Sequence, residues 1–185
     1  MGHKFAEIAF TEQVRALQEK YGSRASYESM ETGEDFNDRL GDRETAFISA
    51  RDSFYIASVS ETGWPYVQHR GGPAGFVQVL DEQTIGFADF RGNKQYVSTG
   101  NLMRDDRVSL FFMDYPNQAR LKLLGHVRIV EKEEAAALKP AGYRAIVERG
   151  FIIRVAAFDW NCPQHITPRY TVAEIEALQA AADGD

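Results

Sequence analysis

The fold is decided by residues 54–90, which read FYIASVSETGWPYVQHRGGPAGFVQVLDEQTIGFADF. This stretch is a succession of short apolar segments separated by turn residues such as Gly63 and Asp81. Segments of this kind are typical of antiparallel strands joined by tight turns. Nothing in the chain resembles a βαβ repeat, so the pattern argues against a Rossmann-type sheet in spite of the glycines.

The chain that follows continues this pattern. Residues 118–130, QARLKLLGHVRIV, alternate apolar and polar side chains, as a long half-buried antiparallel strand does. Further strands are predicted at 107–115 and 149–160, and further helices at 94–106, 131–139 and 171–182. About six strands with helices at the ends and in two connections predict a mainly β, α+β fold, built as a small antiparallel barrel.

The first 43 residues differ from this body. Residues 12–22 predict a helix that follows Thr11 and stops at Gly22. Residues 23–42 are rich in charged and small polar groups and predict a loop with short turns, whereas 43–54 predict a helix that leads into the barrel. We therefore expect an N-terminal extension over 1–43, a barrel domain over 44–170 and a C-terminal helix over 171–185.

Composition and charge exclude several classes of function. The 185 residues are 44% hydrophobic and 26% charged, as in an ordinary soluble protein. A net charge of −6 without a basic block argues against a nucleic-acid partner. No apolar run approaches the roughly 20 residues that span a bilayer, and no secretory leader is evident, so we expect a cytoplasmic protein without a membrane partner. The single cysteine, Cys162, excludes an internal disulfide.

The first candidate site is the cationic turn, residues 91–95 (RGNKQ), between a predicted strand and a predicted helix. The first turn of a helix has unpaired N–H groups and a partial positive charge, so Arg91 and Lys94 there would complement a phosphate. Gly92 allows close approach, and Asn93 and Gln95 can add hydrogen bonds. The alternative is a solvated turn whose cations face water or pair with Asp89.

A second candidate lies at the end of a strand, in residues 68–73 (QHRGGP). Alternation along a strand places Gln68 and Arg70 on one face and His69 on the other. Gly71 and Gly72 leave the backbone bare for close contact with a flat ligand. The alternative is a bulge and turn that lead into the next strand.

Three weaker signals remain. Arg120 alternates with Lys122 on one face of the long strand, and both either line a groove or face solvent. Cys162 and His165 suggest a nucleophile and base, but a buried, inert cysteine is the simpler interpretation. Metal binding by the histidines finds no support in ligand spacing, so we expect no metal site.

In order, these segments resemble the pyridoxamine 5′-phosphate oxidase-like family of FMN-binding split β-barrels. The hairpin FYIASVSETGWPYVQHR, the run TIGFADFRGNKQYVSTGNLMRDDRVSLFF and the strand LKLLGHVRIV carry the resemblance, over roughly 44–130. It implies a six-stranded antiparallel split barrel of Greek-key type with flanking helices. It also implies an FMN-dependent oxidoreductase that acts on a small molecule, as a homodimer with FMN at the interface.

The resemblance also implies roles for single residues. Lys94 matches the lysine that holds the FMN phosphate, and Asn93 occupies a position where the oxidases usually have arginine, a charge that Arg91 is placed to supply. The cofactor-binding set implied by the motifs and the resemblance together is Gln68, His69, Arg70, Gly71, Phe87, Ala88, Arg91, Asn93, Lys94, Gln95, Arg120 and Trp160. Arg120 replaces a glutamine that reaches the flavin from the second subunit.

One departure bears on the substrate. True pyridoxamine phosphate oxidases follow a C-terminal Trp with an Arg-x-His motif, which the sequence after Trp160, NCPQH, does not reproduce. The alternatives to an FMN enzyme are a deazaflavin-using reductase and a non-catalytic flavin- or haem-binding sensor. A haem would need His69 or His165 as its axial ligand.

Overall fold

The protein is described by a computed structural model that covers residues 2–34, 36–160 and 164–182. Within these residues, one antiparallel sheet has seven strands in the order β2-β1-β5-β6-β7-β4-β3. The strands are β1 Ser53–Val59, β2 Pro65–Gly71, β3 Val77–Asp81, β4 Thr84–Phe90, β5 Arg107–Asp114, β6 Ala119–Val130 and β7 Val147–Trp160. The expected α+β class with a mainly antiparallel sheet is confirmed.

The expected count of six strands was wrong by one. The chain reverses at Glu82 and Gln83, and the segments on either side pair as two separate strands, β3 and β4. β3 is a short edge strand whose register with β4 shifts between Val79 and Asp81.

Seven α-helices surround the sheet within the described residues. They are α1 Lys4–Ala9, α2 Glu12–Lys20, α3 Arg24–Thr32, α4 Asp42–Ser49, α5 Val97–Arg104, α6 Lys132–Ala135 and α7 Val172–Ala182; a 3-10 turn, Ala136–Leu138, continues α6. The predicted helices all form, with α2 capped by the Thr11 hydroxyl. No helix among the described residues has the length and apolar character needed to cross a membrane.

The prediction of a loop over 23–42 was wrong for its first part, which forms α3. None of the residues of α3 is buried, and its sequence, RASYESMET, is rich in small polar and charged residues, which in a sequence favour turns and loops. Two kinds of contact stabilise the helix: the Glu31 carboxylate accepts a hydrogen bond from Arg24 at the start of the same helix and another from Arg15 of α2. The Tyr27 ring packs edge-on against Phe10, with centroids 5.5 Å apart.

The inner face of the sheet carries an aromatic core. Phe54 of β1 stacks on Phe112 of β5 with centroids 4.9 Å apart and meets Phe87 of β4 edge-on at 5.2 Å. Phe87 in turn stacks on Phe151 of β7, also at 5.2 Å. These rings are almost completely buried, and each stabilises the fold by about 1.5–3 kcal/mol through loss of apolar surface to water.

The sheet curls until β2 approaches β4. Among the described residues no backbone ladder joins them; an ion pair of 2.7 Å between Arg70 Nη1 and Asp89 Oδ1 does so instead. Side chains rather than main-chain hydrogen bonds therefore close this part of the sheet, and a cavity lies where they meet.

The N-terminal extension is connected to the sheet by two main-chain contacts. Leu40 N–H donates to the Glu82 carbonyl at 2.6 Å, and Phe158 N–H donates to the Asn37 carbonyl at 2.8 Å. The division at residues 43 and 170 stays a prediction.

Candidate functional site

A cavity of about 310 Å³ lies between β2, β4 and the N-terminal end of α5. It brings together most of the predicted site residues from three separate stretches of sequence. The predicted residues on its wall are Gln68, His69, Arg70, Gly71, Phe87, Ala88, Asn93, Lys94 and Gln95. We call it the β2–β4 cavity. Its size lies at the lower end of the range for small-molecule sites.

The β2 wall follows from strand alternation. Tyr66, Gln68 and Arg70 are half-buried on one face, as predicted for the last two, and Val67 and His69 are exposed on the other. The Tyr66 hydroxyl donates to Gln68 Oε1 at 2.5 Å, which fixes the orientation of the amide. The His69 ring packs edge-on against Tyr55, with centroids 5.6 Å apart.

The glycines at the end of β2 serve the packing of the wall. A Cβ on Gly72 would approach the Phe76 side chain to 2.8 Å. A Cβ on Gly71 would lie 3.1 Å from the His69 ring. The space beside the backbone of Gly72, which we expected to be open to a ligand, is therefore filled by the Phe76 ring of the core.

A buried carboxylate organises the cations beside the cavity. Asp89 is 6% exposed and accepts from Arg70 Nη1 at 2.7 Å and from Arg149 Nη1 at 2.9 Å. Arg149 also donates to the Thr99 hydroxyl at 3.3 Å and lies over the Tyr96 ring, 4.9 Å from its centroid. Asp89 therefore joins β4 to β2, β7 and α5.

The pKa of Asp89 is raised above its ordinary value because burial penalises the charged carboxylate. The positive charges of Arg70 and Arg149 act in the opposite direction without cancelling the effect of burial.

Arg70 keeps hydrogen-bonding capacity after pairing with Asp89. Its Nε atom is buried and has no hydrogen-bond partner among the described residues. A buried donor without an acceptor costs roughly 1–3 kcal/mol. A ligand with an acceptor at this wall would remove that cost.

Two residues in and next to the cationic turn have a backbone conformation that non-glycine residues disfavour. Lys94 and Tyr96 both have left-handed φ, of 59° and 57°, although neither is glycine. The Asn93 side chain accepts from the Gln95 N–H at 3.1 Å and so closes the turn. Non-glycine residues held in this conformation often mark functional sites.

The turn leads directly into α5, whose first residues, Val97, Ser98 and Thr99, line the cavity. No side chain caps this helix at Tyr96. Its first-turn N–H groups and the partial positive charge of the helix therefore act beside Lys94. A Cβ on Gly92 would meet no atom within 4 Å, so the turn is open to a ligand there.

Three predicted residues lie outside this cavity in the single chain. Arg91 Nε pairs with Glu148 at 3.0 Å instead of pointing to the cavity. Arg120 lies on β6 beside a different cavity. The Trp160 indole donates to Glu44 at 2.7 Å, so its side chain supports α4.

Sequence reasoning missed Arg149, Glu148 and Tyr66, which also line the cavity. Arg149 stands at the start of a predicted strand, where nothing in the local pattern distinguishes it from a surface cation. The alternative in which Asp89 pairs with the cations of the turn was wrong, since its partners lie on β2 and β7.

Two other features of the sequence were the pair Cys162 and His165 and the histidines as possible metal ligands. His165 lies beside the cavity that Arg120 also lines, and Cys162 lies outside the described residues, so the structure tests neither a nucleophile–base pair nor a buried, inert cysteine. No cluster of three or more histidine, cysteine, aspartate and glutamate side chains suited to a metal ion occurs in the part of the chain that the structure describes.

The chain resembles proteins of a known family. Residues 40–160 match the sequence profile of the family described as pyridoxamine 5′-phosphate oxidase. A search of curated protein sequences found no match.

Several solved structures have a similar fold. A putative pyridoxamine 5′-phosphate oxidase from Lactobacillus delbrueckii is 18% identical, with a TM-score of 0.52, over 66% of this chain and 94% of that one. A conserved hypothetical protein from Mycobacterium tuberculosis is 19% identical, with a TM-score of 0.51, over 73% and 94%. A HupZ variant from Group A Streptococcus is 13% identical, with a TM-score of 0.51, over 66% and 99%. At these identities the likeness is one of fold.

Proposed function

The chain belongs to the pyridoxamine 5′-phosphate oxidase family, and from this premise we propose that it is an FMN-dependent oxidoreductase acting on a small molecule. The cofactor would occupy the β2–β4 cavity. One observation carries this proposal: a cationic turn and an uncapped helix end share a cavity with an apolar strand wall and with Arg70, whose Nε atom has no acceptor among the described residues.

The residues of the cavity fit the parts of FMN. Lys94 and the first-turn N–H groups of α5 would bind the phosphate, because a dianion is stabilised by both charge and helix dipole. Phe87 and Ala88 of β4, both almost completely buried, would exclude water from one side of the ring. The acids at the cavity, Asp89 and Glu148, are already paired with arginines and would not repel the phosphate.

FMN, when bound, supplies hydride or electron transfer chemistry. The protein would bind the flavin and place hydrogen-bond donors beside its ring. The unpartnered Nε of Arg70 would donate to an acceptor on the ring and stabilise negative charge there. Asp89 fixes the orientation of that guanidinium, and Gln68, held by Tyr66, offers an amide on the same wall.

The substrate differs from that of a true pyridoxamine phosphate oxidase in this proposal. The sequence after Trp160 lacks the Arg-x-His motif. We therefore propose a different small molecule as the substrate.

The proposal includes a homodimer. Tyr55 and Val67, on the outer face of β1 and β2, are 40% and 61% exposed, and Phe111 lies beside them on β5. A second copy covering this face would remove apolar surface from water. The expected contact of Arg120 with the flavin belongs to such a dimer. The split-barrel description is supported by the side-chain closure between β2 and β4.

No observation favours the non-catalytic alternative. A haem would need an axial histidine, but His165 does not line the β2–β4 cavity and the His69 ring packs against Tyr55. An absorption spectrum of the loaded protein distinguishes flavin from haem, and titration with a deazaflavin tests the remaining enzyme alternative.

The direct test compares FMN with riboflavin, which lacks the phosphate. Flavin fluorescence titration should show that FMN binds more tightly. Lys94→Ala should weaken FMN binding by about 10- to 150-fold while leaving riboflavin binding nearly unchanged, because one charge-assisted contact is worth about 1.5–3 kcal/mol.

Lys132→Ala is the matched control, since Lys132 is exposed on α6 and does not line the β2–β4 cavity. Equal binding of FMN and riboflavin by the wild type would overturn the phosphate assignment. Reduction of the bound flavin by reduced nicotinamides then tests the oxidoreductase activity itself.

A further inference from the structure

Arg149 of β7 lines the β2–β4 cavity beside the N-terminal end of α5. Its guanidinium lies 4.9 Å from the centroid of the Tyr96 ring, and its Nη1 atom donates to the Thr99 hydroxyl at 3.3 Å. Tyr96 is the residue before α5, and Thr99 lies in the first turn of that helix. The two contacts therefore hold the guanidinium at the end of the helix where the N–H groups have no partner within the helix.

A cation in this position is electrostatically unfavourable unless an anion is also present. The N-terminal end of a helix carries a partial positive charge, which repels a guanidinium. Lys94 lines the same cavity two residues before Tyr96 and brings a second cation. Arg149, Lys94 and the end of α5 are therefore three sources of positive charge along one part of the cavity wall.

The acids beside this part of the wall are shared with other cations. Asp89 places one carboxylate oxygen 2.7 Å from Arg70 Nη1 and the other 2.9 Å from Arg149 Nη1. Glu148 places Oε1 3.0 Å from Arg91 Nε and Oε2 3.4 Å from Arg149 Nη2. Three arginines thus share two carboxylates in a chain of alternating charges, which leaves one positive charge unbalanced.

Arg149 also keeps hydrogen-bonding capacity. Its Nη1 atom donates to Asp89 and Thr99, and its Nη2 atom donates to Glu148 at 3.4 Å, longer than the usual upper limit of about 3.2 Å. Its Nε atom and the second N–H of Nη2 have no acceptor among the described residues. A phosphate at the first turn of α5 would supply acceptors, and guanidinium groups bind phosphate with two parallel hydrogen bonds.

From these observations we propose that Arg149 is a phosphate ligand that makes the β2–β4 cavity select a phosphorylated flavin over the free flavin. This inference rests on the proposed function and deepens it, because it adds to Lys94 a second cation from a distant strand. Arg149 contacts the phosphate in this proposal, whereas Tyr96, Thr99 and Asp89 position its guanidinium.

Flavin fluorescence titration of Arg149→Gln with FMN and with riboflavin tests the proposal. The readout is the ratio of the two affinities, because a purely structural role would lower both affinities alike. The preference for FMN should fall by about 10- to 150-fold, as expected for the loss of one charge-assisted contact. Arg154→Gln is the control and should keep the preference, since Arg154 lies on the same strand, is exposed and does not line the cavity.

A double variant keeps the proposal testable if Arg149→Gln fails to fold because the buried Asp89 has lost one of its two cations. Asp89→Asn combined with Arg149→Gln replaces both charges by amides and so leaves no carboxylate buried with a missing partner. Asp89→Asn alone is its reference, because that variant retains Arg149. The preference for FMN should fall by the same about 10- to 150-fold between these two variants, and thermal unfolding shows whether each is folded.

Two outcomes would overturn the proposal while FMN still binds. They are a preference for FMN that does not depend on Arg149, and equal weakening of FMN and riboflavin binding, which would make Arg149 only a structural partner of Asp89. Equal binding of FMN and riboflavin by the wild type would overturn the phosphate role of Lys94 as well.

Failure of the proposed function is recognised separately, because the wild type would then bind neither flavin. Inorganic phosphate is the probe in that case. It should raise the thermal unfolding midpoint of the wild type more than that of the variants without Arg149, because a ligand of the folded state stabilises it. An equal rise in all of them, or no rise in the wild type, would overturn the role of Arg149 too.

Discussion

Lys94 allows a prediction in which glycine gives a more stable protein than alanine. Its φ of 59° places it in the left-handed region, where a Cβ costs roughly 1–2 kcal/mol. Lys94→Ala keeps the Cβ and that cost. Lys94→Gly removes the cost but increases the freedom of the unfolded chain, which destabilises the protein by about 0.5–1 kcal/mol. The glycine variant should therefore be the more stable of the two by about 0.5–1 kcal/mol.

The measurement is urea unfolding of both variants, supported by thermal unfolding. For a chain of this length each kcal/mol corresponds to about 2–4 °C in Tm. Ala16→Gly is the reference, because Ala16 is exposed within α2 and glycine in a helix costs about 1 kcal/mol there. Both variants at position 94 lack the ammonium, so they should lose the same affinity for FMN.

A Lys94→Gly protein less stable than Lys94→Ala would refute the reasoning, because glycine would then behave as it does at an ordinary position. Loss of FMN affinity in only one of the variants would show that backbone geometry, rather than charge, determines binding at the turn.

Two further predictions concern the interior. Burial raises the pKa of Asp89 in the folded state, so the stability that its proton contributes is present at low pH and is lost as pH rises through the folded-state pKa. Urea unfolding across pH should therefore show wild type losing stability relative to Asp89→Asn as pH rises from about 3.9 upward; a change in the opposite sense would mean that the two arginines outweigh burial. Phe87→Ala should lower the free energy of unfolding by about 3–5 kcal/mol, because it opens a cavity among three core rings. Trp64→Ala, at a side chain that is 75% exposed, should change it by less than about 0.5 kcal/mol, and similar losses in both variants would contradict the assignment of the core.

The sheet could be predicted from sequence because its signals are local. Strand alternation identifies β5 and β6, and the turns between the short strands identify the hairpins. The cationic turn could also be placed, because Gly92 and Lys94 stand between a clear strand and a clear helix.

The rest depends on contacts between distant parts of the chain. Asp89 meets Arg149, sixty residues later, only because β4 pairs with β7. Arg91 faces Glu148 for the same reason, and no local pattern indicates that its charge is taken up there. Trp160 reaches back to Glu44 of α4, a contact across 116 positions. Propensity and periodicity carry no information on such pairs.

The side-chain closure between β2 and β4 has a consequence for how a ligand enters. A barrel closed by a continuous ladder must break main-chain hydrogen bonds to open. Here, in the described part of the chain, the seam at the cavity is held by Arg70 and Asp89, so separating these two side chains would widen it without breaking a strand pairing. We therefore expect ligand entry here to require separation of this one ion pair rather than loss of main-chain hydrogen bonds.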